Sequence, residues 1–299
     1  MTSSSDHSWL AGAIADLPTP FDADEGLDLE AFARLCQRQI DAGATALLVG
    51  ETMGELPTLS IGEHDSLVRT AATTARGRVK VIAGAGSNAT ARAIALTQRA
   101  EAAGADAILS VVPYYNKPTQ AGITAHFRTI AAATSLPVIL HDAPYRTMRP
   151  LLDETVLQLA ESPQFIGLCD GSGDITRPLR LRGRLPPDFR LLSGHESTAT
   201  AFLFYAGDGS VCAVANIAPE LMRALYGACR RGEAIEATAL MDRLAPLSDA
   251  LARDATPAST KYALNLLGLA SAHVRLPIVG LAGCEKTAIA AAIAVLFGP

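Results

Sequence analysis

The chain has 299 residues, of which 49% are hydrophobic and 18% are charged. Its formal net charge of -5 argues against a nucleic-acid partner, which would need a basic patch. The longest apolar stretch near the C-terminus, residues 287–297, is too short to span a bilayer, so no membrane partner is expected.

The ends of the chain and its cysteines indicate a cytoplasmic protein. Residues 1–9 lack the basic and apolar segments of a signal peptide and are expected to form a disordered extension. The five cysteines show no CxxC spacing, which is typical of reduced thiols in a cytosolic protein. Because no zinc-type ligand spacing appears, we predict neither a metal nor a cofactor.

Along the chain, short apolar runs alternate with longer segments of helical period. The runs cover residues 12–17, 45–50, 79–85, 106–112, 137–142, 165–169, 189–194 and 209–215. Between them, segments such as residues 88–104 place apolar side chains on one face, with Asn88 as a plausible cap and Gly104 as a plausible stop.

Eight strand-like runs, each followed by a helix, predict parallel strands joined by helical crossovers. We therefore predict a TIM (β/α)8 barrel over residues 10–231, followed by a C-terminal helical extension over residues 232–299. A doubly wound open sheet is the alternative, but the first turn, "PTPFDADEG", lacks the glycine-rich phosphate cradle often found in that fold.

If the chain forms this barrel, several polar residues lie together at one end of the molecule. Active sites in this fold lie at the carboxyl ends of the strands. That end receives Thr52 and Gly54 after the second strand, His141 and Arg146 after the fifth, and Cys169 after the sixth. These side chains are therefore the first candidates for a functional site.

Five motifs occur in the order and spacing of one family: "GETMGELPTLS", "VIAGAGSNAT", "PYYNKPTQAGITAHF", "LPVILHDAPYRT" and "SGHESTATAFLFYAGDGSVCAVAN". The chain resembles the dihydrodipicolinate synthase / N-acetylneuraminate lyase superfamily from about residue 10 to the C-terminus. The resemblance implies a lyase on a class I aldolase-type barrel, usually a homotetramer, so we expect a homo-oligomer (a dimer or a tetramer). It also implies a lysine at the end of strand six that forms a Schiff base with pyruvate or another 2-oxo acid.

At the reacting centre the chain departs from this pattern. Cys169 stands where the family has the Schiff-base lysine, and His141 stands where it has a proton-relaying tyrosine. In the turn that reads "GTTGE" in the family and binds the substrate carboxylate through backbone N–H groups and a hydroxyl, Met53 replaces the second threonine. Tyr115 matches the tyrosine that reaches a neighbouring subunit's site. The substrate-binding residues implied by the resemblance are Thr52, Met53, Gly54, Arg146 and Val211.

Two hypotheses follow for Cys169. A thiol beside the imidazole of His141 could form a thiolate–imidazolium pair and add to a carbonyl carbon. Alternatively, Cys169 is a small apolar residue that fills a vacated site. Lys117 is the candidate if another lysine substitutes for the missing one.

Two further possibilities concern charge. Asp170, with Glu51, His141 and His195, could supply metal ligands, although no short-spaced ligand pair supports this. Glu51 should disfavour anionic 2-oxo acids unless its charge is paired.

The sequence therefore predicts a lyase by descent in which imine-based condensation or cleavage of pyruvate is absent. The candidate catalytic residues are His141, Cys169 and Tyr115, acting in altered lyase or hydratase chemistry on a small carbonyl substrate, which is expected to be a carboxylate. The alternative is a non-catalytic homologue that binds a small carboxylate or serves a structural role.

Overall fold

The computed structural model of the chain describes residues 6–253 and 257–298. Within these residues, eight parallel strands pair in chain order and close into a barrel, because β8 pairs with β1. The strands are β1 (Gly12–Leu17), β2 (Ala46–Val49), β3 (Lys80–Gly84), β4 (Ala107–Val111), β5 (Val138–Asp142), β6 (Phe165–Asp170), β7 (Arg190–Ser193) and β8 (Gly209–Cys212). The prediction of a TIM barrel is confirmed, and each predicted apolar run overlaps one strand.

Helices cover the outside of the barrel. They are α1 (Leu29–Asp41), α2 (Ile61–Ala75), α3 (Thr90–Ala103), α4 (Gln120–Ala131), α5 (Pro144–Thr147), α6 (Asp153–Ala160), α7 (Arg177–Arg182), α8 (Ala199–Phe204), α9 (Pro219–Arg231), α10 (Ala234–Ala252), α11 (Pro257–Leu266) and α12 (Gly283–Phe297). Short 3-10 turns cover Leu56–Thr58, Glu196–Thr198 and Val214–Asn216.

Helix α2 shows how the sequence fixes these boundaries. Its first turn is a capping box, in which the Ser60 hydroxyl accepts a hydrogen bond from the Glu63 N–H and the Glu63 carboxylate accepts one from the Ser60 N–H. Leu67 and Val68 then bury the inner face of the helix. The helix ends at Arg76, which adopts a left-handed conformation.

The inside of the barrel explains why polar residues meet at one end. Side chains alternate between the two faces of a strand, so every second residue points into the barrel. Ile14 and Ile139 belong to the apolar cluster inside the barrel, together with Cys169. Two residues after each isoleucine, on the same face, come Asp16 in β1 and His141 in β5. The barrel interior therefore changes from apolar to polar towards the carboxyl ends of the strands.

The N-terminal segment is placed in part. Residues 1–5 of the predicted extension lie outside the described residues. From residue 6 onwards the chain turns against the barrel, since the Leu10 N–H donates to the His7 carbonyl at 3.0 Å. Trp9 is partly buried and packs against the apolar cluster inside the barrel. The disordered extension over residues 1–9 stays a prediction.

The predicted C-terminal helical extension is confirmed as α10, α11 and α12. Its buried residues, among them Leu247, Leu264 and Ile289, belong to the same apolar cluster as Leu35 of α1 and Leu67 of α2. The extension is therefore part of the main core. Among the described residues, no helix is both long and apolar enough to cross a membrane.

A group of charges, here called the loop clamp, joins the extension to the segment that follows β2. It consists of Glu55, Lys261 and Arg275. The Lys261 ammonium donates to the Glu55 carboxylate and, at 2.8 Å, to the His273 carbonyl. The Arg275 N–H donates to the same carboxylate at 3.1 Å, and both cations lie about 4 Å from the centre of the Phe21 ring. The loop clamp fixes the end of the loop that begins with Glu51.

Candidate functional site

A cavity of about 340 Å³ opens at the carboxyl ends of the strands. Its lining includes residues from four strands and from the loop after β2: Asp16, Glu51, His141, Cys169 and Val211. Residues of α10 and α11, such as Thr260, form part of its wall. The helical extension therefore contributes to the site, which the sequence analysis did not anticipate.

Most of the predicted site residues meet in this cavity. Thr52, Met53 and Arg146 line it together with the strand residues named above. Two do not. Gly54 lies behind the lining, where its carbonyl accepts a hydrogen bond from the Thr19 hydroxyl at 2.7 Å. Tyr115 lies outside the cavity with 89% of its surface exposed and a left-handed φ of 71°.

His141 forms a buried ion pair with Glu51. Nδ1 of the imidazole lies 3.0 Å from Oε1 of the carboxylate. Burial opposes the charge on Glu51, but the charge of His141 and hydrogen bonds from His141 and Thr52 outweigh it and lower the pKa of Glu51 to about 2. Burial also opposes the charge on His141, yet Glu51 and Asp16 raise the pKa of His141 above its ordinary value. Each partner therefore favours the charged form of the other.

Asp16 is a site residue that the sequence analysis missed. It is 5% exposed, and its Oδ2 accepts a hydrogen bond from the Met53 N–H at 2.9 Å. Its Oδ1 is buried and has no hydrogen-bond partner in the described part of the chain. Burial, followed by the charge of Glu51, raises the pKa of Asp16 well above its ordinary value. The available signal was a carboxylate inside the apolar run "GAIADL".

The turn after β2 already holds acceptors from the protein itself. The Thr52 N–H and the Thr52 hydroxyl both donate to the carboxylate of Glu51. The Met53 N–H donates to Asp16. The donors that the resemblance implies for a substrate carboxylate are thus bound to two internal carboxylates.

Cys169 lies opposite His141 in the pairing of β5 and β6, so the predicted proximity is observed. The imidazole, however, is hydrogen-bonded to Glu51. Burial and then the neighbouring carboxylates raise the pKa of the Cys169 thiol well above its ordinary range. A β-carbon added at Gly194 would lie 2.9 Å from Sγ, so this glycine provides room for the thiol. These surroundings disfavour a thiolate and agree with the hypothesis that Cys169 fills space.

None of the chain's four lysines lines the cavity. Lys80 begins β3, at the opposite end of the barrel, and pairs with Asp106 at 2.8 Å. Lys261 is held in the loop clamp. Lys117 and Lys286 are exposed outside the cavity.

The metal alternative finds no geometric support. Within residues 6–253 and 257–298, no group of three or more His, Cys, Asp or Glu side chains is arranged to hold a metal ion. Asp170 bonds with its own loop and with α7, since its carboxylate accepts from the Ser172 N–H at 2.9 Å and from Arg177 at 3.0 Å. His195 lines the cavity, and its Nδ1 lies 3.0 Å from the Thr198 hydroxyl.

The Glu51–His141 pair should stabilise the fold in a defined pH window. Glu51 has a lowered pKa, so its contribution is complete above about pH 4.5 and is lost as the pH falls towards 2. His141 has a raised pKa, so its contribution is complete below about pH 6.5 and is lost as the pH rises through the folded-state value. We expect Glu51→Gln to lower the free energy of unfolding by roughly 1–3 kcal/mol, most strongly between about pH 4.5 and 6.5.

Urea denaturation of both proteins across this pH range measures the difference. The control is Glu154→Gln, which removes an exposed carboxylate paired with Arg184 and should change stability by less than about 1 kcal/mol. A pH-independent difference between the wild type and Glu51→Gln would contradict the ion pair.

Comparison with known proteins agrees with this architecture. Residues 9–296 match the Dihydrodipicolinate synthetase family. The 4-hydroxy-tetrahydrodipicolinate synthase of Gluconobacter oxydans (strain 621H) is 41% identical over 288 residues, covering 96% of this chain and 97% of the relative. The enzyme of the same name from Thiobacillus denitrificans is 43% identical over 286 residues, with the same coverage.

Solved structures show the same similarity. The crystal structure of DHDPS from Cyanidioschyzon merolae with lysine bound superposes with a TM-score of 0.94 at 33% identity, covering 97% of this chain and 99% of that one. The chloride-inhibited dihydrodipicolinate synthase from Acinetobacter baumannii complexed with pyruvate has a TM-score of 0.92 at 35% identity, covering 96% of this chain and 98% of that one. By sequence over almost its whole length and by fold, the chain belongs to the dihydrodipicolinate synthetase family.

Proposed function

We propose that this protein is a lyase or hydratase that acts on a small carbonyl compound by acid–base chemistry, without forming an imine. The observation that carries the proposal is the buried Glu51–His141 ion pair in a cavity whose lining contains no lysine. An imine requires an amine nucleophile at the carbonyl carbon. The cavity lining offers instead imidazole, carboxyl and thiol groups, among them His141, Glu51 and Cys169.

In this proposal His141 holds and returns the proton. Its Nδ1 is occupied by Glu51, which leaves Nε2 as the ring nitrogen for a bound molecule. The neutral imidazole can take a proton from the carbon next to the carbonyl, and the imidazolium so formed can return it to the carbonyl oxygen or to a departing hydroxyl, which leaves as water. Glu51 orients the ring and compensates its charge. Cys169 contributes volume, because its raised pKa disfavours the nucleophilic thiolate.

The remaining predicted residues have roles at the edges of the cavity. Arg146 lines the cavity and donates from Nε to the Tyr145 hydroxyl at 3.2 Å, so a carboxylate distant from the reacting carbonyl can lie near its guanidinium. Val211 presents an apolar side chain from β8. We also propose that the chain forms a homo-oligomer in which Tyr115 enters the site of a neighbouring subunit, which would use its exposed ring.

Two measurements test the proposal. First, treatment with pyruvate and sodium borohydride should leave the intact mass unchanged, whereas the Gluconobacter oxydans relative is the control in which an adduct is expected. Second, in deuterated water the wild type should exchange hydrogens next to the carbonyl of at least one member of a panel of small aldehydes and ketones. His141→Gln should lose this exchange.

The matched control is His126→Gln. His126 is also a buried histidine, but it lies in α4 outside the cavity lining, with Nδ1 3.0 Å from the Thr90 hydroxyl. This variant should retain the exchange. A pyruvyl adduct on any lysine, or formation of 4-hydroxy-tetrahydrodipicolinate, would overturn the proposal. No exchange across the panel would favour the non-catalytic alternative.

A further inference from the structure

The turn after β2 presents three hydrogen-bond donors to the cavity, and all three are occupied from within. The Thr52 N–H and hydroxyl donate to Glu51, and the Met53 N–H donates to Asp16 at 2.9 Å. Converging backbone and hydroxyl donors of this kind form a site for an anion. In this chain, carboxylates of the protein take the place of that anion.

Both carboxylates are held by more than the turn itself. Glu51 is buried and paired with His141, which comes from β5 on a different part of the barrel wall. Asp16 belongs to β1, and its backbone is fixed by pairing with Leu48 of β2. The two acceptors are thus held in position by residues of different strands. The hydrogen bonds of the turn therefore depend on the barrel and not on the loop after β2 alone.

We infer that Glu51 and Asp16 determine specificity by filling this anion site, so that the cavity takes a carbonyl compound with no carboxylate on its carbonyl carbon. A 2-oxo acid would have to displace the Glu51 carboxylate from Thr52 or place its own negative charge beside it. Either arrangement leaves a buried charge with fewer partners, which is unfavourable. The identity of the carbonyl as the reacting group rests on the proposed function.

The groups that remain available beside the reacting carbonyl suit an uncharged part of the ligand. Oδ1 of Asp16 is buried without a partner in the described residues and can bond with a hydroxyl of the ligand. His141 offers its second ring nitrogen. Val211 and Cys169 supply apolar surface between them. A small hydroxy-aldehyde or hydroxy-ketone matches this set of contacts.

The test measures binding and therefore does not depend on catalysis. Oxalate and pyruvate are titrated by calorimetry into the full-length wild type and into Glu51→Gly at pH 8. We expect negligible binding to the wild type. In Glu51→Gly the donors of Thr52 are released, and the affinity for oxalate should rise at least about 10-fold, as expected for regained charge-assisted hydrogen bonds. Glu51→Gly combined with Thr52→Val should lose this gain.

Glu196→Gln is the matched control. Glu196 lines the same cavity, but its carboxylate accepts from the Val214 N–H at 2.8 Å and not from the turn. Burial raises the pKa of Glu196 to about 7, so at pH 8 this variant also removes a negative charge. Its affinity for oxalate should stay within about threefold of the wild type, since the turn remains filled.

Several outcomes would overturn the inference. They are tight oxalate binding by the wild type, no gain in Glu51→Gly, or an equal gain in Glu196→Gln. If Glu51→Gly is unfolded by circular dichroism, Glu51→Ala makes the same test with an ordinary backbone. A gain in oxalate affinity together with no hydrogen exchange on the carbonyl panel would refute the proposed function while leaving the filled turn established.

Discussion

Replacing Arg177 with methionine is expected to lower the free energy of unfolding by about 3–5 kcal/mol at pH 7, because it leaves buried carboxylates without their counter-charge. The Arg177 guanidinium donates to Asp142 at 2.7 Å, to Asp170 at 3.0 Å and to Asp153 at 2.8 Å. It also donates to the Leu151 carbonyl. Asp142 and Asp170 are fully or almost fully buried.

The cluster also supports the site. Asp142 directly follows His141 at the end of β5, and Asp170 directly follows Cys169 at the end of β6. Arg177 therefore joins the ends of the two strands that carry His141 and Cys169. In Arg177→Met, two buried carboxylates face each other without a cation, so we expect part of the lost stability to return as the pH is lowered and they become protonated.

Urea denaturation at pH 7 measures the change, and Arg180→Met is the control. Arg180 lies on the same helix and pairs with Asp153 and Asp174, but its side chain is 47% exposed. Because exposed ion pairs contribute little, this variant should lose less than about 1 kcal/mol. If Arg177→Met and Arg180→Met were equally stable, the buried cluster would not have the importance assigned to it.

Lys261→Met is expected to have an effect of similar size, a loss of about 3–5 kcal/mol, because it leaves the Glu55 carboxylate uncompensated. The side chains of Lys261 and Glu55 are almost completely buried. Burial outweighs the attraction of Glu55 and lowers the pKa of Lys261 to about 8, so the ammonium is still mostly charged at pH 7. Denaturation at pH 7 therefore compares an ionised pair with a carboxylate that keeps the Arg275 N–H but has lost its ammonium partner.

The double variant Glu55→Gln with Lys261→Met separates two explanations. If the loss in Lys261→Met comes from the unpaired charge, neutralising Glu55 should recover most of it. If the loss comes from packing of the lysine chain against Phe21, which lies 4.0 Å from the ammonium, the double variant should be no more stable than Lys261→Met. The second outcome would contradict the role assigned to the loop clamp.

Much of the barrel could be predicted from sequence because parallel strands buried on both faces are apolar throughout. The run at residues 12–17 coincides with β1. His141 and Cys169 lie opposite each other because they occupy equivalent positions near the ends of two adjacent strands, β5 and β6. The position of the cavity then follows from the fold.

The chemistry of the cavity could not be predicted in the same way. Glu51 lies in a loop, whose conformation no periodicity determines, and its bond to His141 joins residues 90 positions apart. Asp16 follows Ile14 by two residues on the inward face of β1, which is the spacing of a core residue. Only its carboxyl group distinguishes it from the apolar residues at such positions. The contact between Glu55 and Lys261 spans 206 positions and depends on how the last helices fold back.

The loop clamp has a consequence for recombining members of this family. Glu55 belongs to the first quarter of the chain, whereas Lys261 and Arg275 belong to its last fifth, and all three stand between the outer helices and the turn that carries Glu51. A chimera that takes its first barrel units from one homologue and its C-terminal helices from another would have to inherit Glu55 and Lys261 together, whereas the Arg275 contact with Glu55 is made by a backbone N–H. Otherwise the exchange would destabilise the turn that carries Glu51, although neither crossover point lies in that turn.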